Sequence, residues 1–262
     1  MKVFLLLTFS FMLGQQSLLA QSPATSTPGQ AQAARPSSRQ PSQPQDNRFY
    51  QLGDKTIVIP PPEGFEEAAS QLSFIKDYYT TTEAPQNDML AVFLPTDAIE
   101  KLKRHEKNNL TGAAKVSILK KVRGTDVSTE EFAATVSAFE KYGGKMLDIN
   151  GPEMKALLKR AQKGVSDITR EEVQIDLSQP INLGPFERTS KVYSTMLMVR
   201  TKAELNGNQE EHLEFIGMSL VLVKQRLLYV YTHKIFTSPD EMEGHKDFTR
   251  RWIRQIIAAN QE

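Results

Sequence analysis

The chain has 262 residues, 39% of them hydrophobic and 24% charged, enough for an ordinary globular core, and it has no cysteine. Lys2 is the one charged residue among the first twenty, so removing that segment takes 32 basic residues to 31, against 31 acidic ones. This balance argues against a nucleic-acid binder, which needs a basic excess to neutralise phosphates, and the lack of cysteine excludes both disulfides and a cysteine-linked lipoprotein anchor.

Met1-Lys2, the apolar run Val3 to Leu13 and Leu18-Leu19-Ala20 read as a signal peptide over residues 1–20, cut near Ala20. The run is too short to span a bilayer. The mature chain is therefore expected to be exported, periplasmic or secreted, and soluble without a transmembrane span. Residues 21–47 consist almost wholly of Gln, Ser, Pro, Ala and Thr, with no Leu, Ile, Val or aromatic residue. Such a segment buries too little apolar surface to offset its ordering entropy and reads as a disordered linker.

Residues 48–262 read as one α+β domain. Phe49 and Tyr50 precede a strand at Thr56 to Ile59, which Pro60-Pro61-Pro62 ends because proline cannot donate ladder hydrogen bonds. A short helix is expected from Glu63-Gly64-Phe65 through Gln71, a strand at Met89 to Leu94, and a helix from Pro95-Thr96-Asp97 to about Lys107. Ala114 to Lys121 reads as a strand. Ser128-Thr129-Glu130-Glu131 is a capping box opening a helix with Phe132, Val136 and Phe139 inward, with Gly143-Gly144 as its stop. Pro152 to Gln162 is a further helix and Val173 to Leu177 a strand.

The last third is the most legible. Lys191 to Glu204, Glu211 to Val223 and Leu227 to Phe236 are β-rich runs joined by Asn206-Gly207-Asn208-Gln209 and by Lys224-Gln225-Arg226. Links this short favour antiparallel neighbours, because a parallel pairing needs a long crossover. In the second run Leu213, Phe215, Val221 and Val223 alternate with Ile216, Met218, Leu220 and Leu222. Both faces are thus apolar, so both must be covered. Ser238-Pro239-Asp240-Glu241 signals the helix that follows, a second capping box, and Phe248, Trp252 and Ile256 form its apolar stripe. Trp252 reads as a core anchor rather than a ligand-stacking residue. The expectation is a mainly antiparallel sheet with helices packed on its faces.

The strand running into Ile59-Pro60-Pro61-Pro62-Glu63-Gly64-Phe65, the C-terminal meander and the last helix around Arg251-Trp252-Ile253 resemble the exported PsbP-type fold over roughly residues 48–262. The resemblance implies an accessory or binding role without catalysis and carries over no functional residue.

A search for chemistry is largely negative. His105, His212, His233 and His245 show no close helix-borne spacing for zinc, and antiparallel register places His233 opposite about Gly217, away from His212. Gly217-Met218-Ser219 looks like part of a nucleophile elbow but lies inside an apolar strand, so Ser219 should point into a packed layer and Gly217 should mark a bulge or a close backbone approach. Glu130-Glu131, Glu171-Glu172 and Glu210-Glu211 are adjacent without forming a constellation. Neither a cofactor motif nor a catalytic or metal-ligating set emerges, and the binding residues stay unassigned. Lys101, Lys103, Arg104 and Lys107 form a basic helix face, a solvated surface with anionic contact as its alternative. Asn109-Leu110-Thr111 matches the N-glycosylation pattern. The reading is an exported binding or accessory protein of the cell envelope or extracellular space, with a protein or small-molecule partner. A secreted hydrolase with a site spread over loops is the alternative.

Overall fold

The structure, a computed structural model, describes residues 48–106, 110–205 and 207–261. The expected signal peptide, linker, Lys107 and Asn109 lie outside those residues.

Sixteen elements are described: a short 3-10 turn (Lys120–Val122), five α-helices and ten strands, the strands being β1 (Phe49–Leu52), β2 (Lys55–Val58), β3 (Phe65–Glu67), β4 (Asn87–Pro95), β5 (Gly112–Leu119), β6 (Val173–Leu177), β7 (Ile181–Arg188), β8 (Val192–Leu205), β9 (Asn208–Val223) and β10 (Arg226–Ile235). The five α-helices are α1 (Ser73–Thr82), α2 (Thr96–Lys103), α3 (Thr129–Met146), α4 (Pro152–Thr169) and α5 (Glu241–Ala258).

The expected meander forms: β8, β9 and β10 are consecutive antiparallel neighbours, in register from Val192↔Val221 and Leu227↔Leu222 outward. They belong to one sheet of order β3-β4-β5-β10-β9-β8-β6, in which every pairing is antiparallel. The β5–β10 pair joins the early strands to the late ones. β6 and β7 run in succession along the outer edge of β8, opposite Thr201–Leu205 and Tyr193–Met198 respectively.

Both faces are covered, as their composition requires. On one, Tyr193, Leu197, Ile216, Met218, Leu220 and Tyr229 pack with apolar side chains of α1, α2, α3 and α4. On the other, Val192, Val221, Leu228 and Val230 pack with Trp252, Ile253 and Ile256 of α5 and with Leu52 and Ile57 of the separate β1–β2 hairpin. Burial of Ile253 and Ile256 stabilises this face by roughly 1.5–3 kcal/mol each. Trp252 is the core anchor expected: it meets Phe93 edge-on at 5.5 Å, and its indole N–H donates to Pro60 O at 2.8 Å.

Several local expectations need correction. Residues 65–71 are not helical. Phe65–Glu67 pairs with Phe93–Pro95, and the Glu67 carboxylate then accepts the N–H groups of Ala69 and Ser70, turning the chain into α1, a helix the sequence reading missed. Phe49–Leu52 is the unforeseen first strand of a hairpin around Gly53, whose φ is +65°. Gly143 does not stop α3, because Leu147 N–H donates to Gly143 O at 3.0 Å and the helix runs on. α4 extends past Gln162 to Thr169, and its Gly164 marks a close approach to α1: a Cβ there would lie 2.5 Å from Thr81 Cγ2. β7 was also missed, since Gly184 and Pro185 break its pattern, and they sit at register shifts on the sheet edge.

The two capping boxes part company. Glu131 N–H donates to Ser128 Oγ at 3.2 Å while Ser128 N–H donates to the Glu131 carboxylate at 2.8 Å, the full reciprocal pair. At α5 the cap is Asp240, and the Glu241 carboxylate reaches past Ser238 to accept Thr237 N–H at 3.2 Å. Hydrogen bonding from the Thr237 side chain and then from the Lys234 ammonium, with a smaller part from the Thr237 N–H, holds the Glu241 carboxyl down at about 2.

Candidate binding site

Of the groups weighed for catalysis, Ser219, His233 and His245 are buried, whereas His105 is exposed and His212 half-buried. Ser219 is buried and donates to Ser194 Oγ at 2.8 Å across the β8–β9 ladder. Gly217 is a close approach rather than a bulge: its register with Thr232 is unbroken, and a Cβ there would lie 2.4 Å from Thr232 Oγ1. His233 faces Ile216, one position from the expected partner, and His212 faces Thr201. His105 lies just beyond α2 with φ of +57°, not on the helix. His245 is buried under α5, with Nε2 at 3.3 Å from both Thr232 Oγ1 and Thr232 O. Burial pushes its imidazole down to about 4, against the opposing pull of the Thr232 backbone bond. Among the described residues no three His, Cys, Asp or Glu converge on a metal position. The basic helix carries its own acids, with Lys101–Asp97 at 3.4 Å, Lys103–Glu100 at 3.0 Å and Arg104–Glu106 at 2.7 Å.

Two further polar regions stand out. The first is sealed between the sheet and α1. Lys115 on β5 is 1% exposed and its ammonium lies 3.2 Å from the Glu83 carboxylate at the end of α1. Ser117 Oγ and Asn87 Nδ2 donate to the same carboxylate at 3.0 and 3.1 Å. Tyr231 lies beneath the ammonium, its ring centre 5.3 Å away. Burial lowers the Lys115 pKa while Glu83 raises it, and burial drives the phenols of Tyr78 and Tyr231 well up. Further along the same face, His233 Nδ1 meets Glu214 Oε2 at 3.2 Å, both side chains being fully enclosed. Buried ionic groups of this kind need mutual pairing because water is not there to solvate them.

The second region is open. The β1–β2 turn, the residue before β8, the β9–β10 turn and the C-terminal end of α5 meet around a cleft of about 790 Å³. Its lining includes Lys55, Lys191, Leu222, Lys224, Ile257 and Asn260. The walls are tied together from behind. Arg226, which opens β10 with no exposed side-chain surface, donates from Nη2 to Asp54 at 2.6 Å, from Nε to Leu52 O at 3.0 Å and from Nη1 to Asp126. Asp126 in turn accepts Lys55 at 2.9 Å, and these two cations hold its carboxyl below the usual range. Asn260 clips the far wall, accepting Val58 N–H at 2.9 Å and donating to Val58 O at 2.7 Å. The lip is a two-residue turn with Lys224 and Gln225 both left-handed, φ +45° and +61°, the backbone a right-twisted hairpin needs. A side chain other than glycine costs on the order of 1 kcal/mol at each such position.

Sequence reasoning weighed His233 and read Lys224-Gln225-Arg226 as a hairpin link, but singled out none of these residues for a binding role. Lys115 had a signal, as the one charge in the otherwise apolar or small run Gly112–Leu119. The cleft had none, since its lysines are 33 or more positions apart in the chain from one wall to the next.

Fold and site together define an α+β protein with an all-antiparallel eight-stranded sheet and a mixed polar–apolar cleft at one end. Neither a protein-family model nor a curated protein matches the sequence. Among solved structures it is similar to the Saccharomyces cerevisiae Ran-binding protein Mog1p, at 12% identity over 78% of this chain and 86% of that one, with a TM-score of 0.28. A mutant of Mog1 aligns at 12% identity over 81% and 92% of the two chains, with a TM-score of 0.29. Scores this low establish neither a shared fold nor a shared partner. No helix among the described residues is long and apolar enough to cross a membrane.

Proposed function

We propose that the chain is an exported binding or accessory protein of the cell envelope or extracellular space, without catalytic activity, and that the open cleft holds its ligand. The observation that carries this reading is the division of polar groups. Several acid–base and hydroxyl pairs are enclosed and bonded to each other, as in Lys115–Glu83, His233–Glu214 and Ser219–Ser194. The concavity that meets solvent is lined instead by lysines, amides and apolar side chains, and among the described residues Asp54 is its one carboxylate, engaged by Arg226. Its volume falls in the range of small-molecule sites. The leader-like N-terminus and the PsbP-type resemblance support the export and accessory parts of the reading.

The test has two arms. N-terminal sequencing of protein recovered outside the cytoplasm should find a start near Gln21; retention with Met1 in place would overturn export. A small-molecule screen read by backbone amide shifts should give hits that cluster at Lys55, Lys224, Gln225 and Ile257. Turnover of ester, glycoside or peptide substrates by the purified protein would replace this reading with the hydrolase.

A further inference from the structure

We infer that the cleft at the end of α5 is selective for a small amphipathic anion, an apolar body carrying one carboxylate or an equivalent acid group. This rests on the cleft being a binding site at all and adds the class of ligand.

The charge balance comes first. Among the described residues, three lysines, Lys55, Lys191 and Lys224, line the cleft against the single carboxylate of Asp54. Asp54 is spent on Arg226, and Lys55 on Asp126 and the Gln225 side chain. The ammonium groups of Lys191 and Lys224 have no hydrogen-bond or ion-pair partner among the described residues. Two uncommitted positive charges therefore border the same concavity.

The second consideration is the apolar part. Leu222, Val223 and Ile257 line the cleft beside the lysines, the first two buried and the third half-buried. With Leu222 and Val223 already buried at 5% and 3% exposure, the open apolar surface is that of Ile257; an inorganic anion would leave it in water, whereas a ligand with a hydrocarbon body covers it. The third is orientation. α5 ends at the cleft, and its C-terminus carries partial negative charge that disfavours an anion nearby. The acid group accordingly belongs at the Lys191–Lys224 side and the apolar body toward Ile257. Finally, the walls are fixed before any ligand arrives. Besides the Arg226 and Asn260 ties, Val127 N–H donates to Gln225 O at 2.9 Å, and the β1–β2 turn presses on Gly124, where a Cβ on Gly53 would lie 2.8 Å from Gly124 Cα. Pre-formed walls lower the ordering cost of binding a small molecule.

The experiment titrates the folded protein with octanoate, 1-octanol, octylammonium and inorganic phosphate, following backbone amide shifts. Octanoate should move Lys224, Gln225 and Ile257, and bind roughly fivefold or more tightly than octanol, with octylammonium and phosphate weaker still. Lys191→Gln with Lys224→Asn, the latter chosen because asparagine accepts a left-handed backbone, should weaken octanoate by about the same fivefold and leave octanol unchanged. Equal binding of octanoate to the double variant overturns the inference. So does octanol or octylammonium binding as tightly as octanoate, which removes the anion preference but leaves a ligand cleft. If none of the four moves a cleft resonance, the inference falls, and the binding reading falls with it when the wider screen is also empty.

Discussion

Lys115 and Lys224 carry the same ammonium group in opposite settings. The first sits on a central strand at 1% exposure, held by Glu83, with Ser117 and Asn87 on the same carboxylate. The second sits on a hairpin lip with no partner among the described residues, beside a cleft of about 790 Å³. A charge withdrawn from water must find its counter-charge inside the protein, so its energetics belong to folding. A rim charge is solvated either way, contributes little to stability, and remains free to meet a ligand. The sealed region is where substitutions should unfold the protein, and the open one is where they should change binding alone.

The largest expected effect follows from Glu83→Ala, which strands Lys115 in the core and should lower stability by about 3–5 kcal/mol in chemical denaturation. The joint replacement of Glu83→Gln with Lys115→Met should recover most of that loss, since the uncompensated charge is gone. If the single variant were as stable as the parent, Lys115 would have a route to water and the sealed description would fail.

Acid should reveal the next largest effect. His245 titrates at about 4 in the folded protein against an ordinary value near 6.5, because burial disfavours its charged form. Between those two values the unfolded chain binds more protons, so the neutral imidazole supports the fold fully above 6.5 and loses that support as pH falls toward 4. The difference in unfolding free energy between the parent and His245→Gln should therefore change by on the order of 3 kcal/mol across this window and level off above it. A parallel pair of profiles would mean that the ring reaches solvent.

Asn260 lines the open cleft but also ties its wall, so Asn260→Ala should have an intermediate effect. It removes the hydrogen bonds to both Val58 groups and should cost about 1–2 kcal/mol, with amide exchange quickened at Val58 and across the cleft wall. Smallest of all, Lys191→Gln with Lys224→Asn should leave stability within about 0.5 kcal/mol of the parent, as read by thermal melting. A larger loss would show that these lysines belong to the fold after all.

Local patterns made much of the fold legible. The alternating apolar faces of β8, β9 and β10, the Ser128–Glu131 box and the stripe of Trp252 and Ile256 each depend on residues a few positions apart. The misreadings occur where a distant contact overrides the local signal. Gly143-Gly144 looked like a stop but stays helical, and Gly164 is small because Thr81 of another helix lies against it. Gly184 and Pro185 disguise β7, which needs only one paired edge along β8.

The sequence by itself determined the α+β class, the two-faced meander and the core role of Trp252, because side-chain periodicity is a property of the local chain. Only the tertiary structure decided that Glu83 would answer Lys115 and that Lys55, Lys191 and Lys224 would share one cleft. Those groupings are set by strand order and turn geometry, which join segments with no periodic relation in the chain.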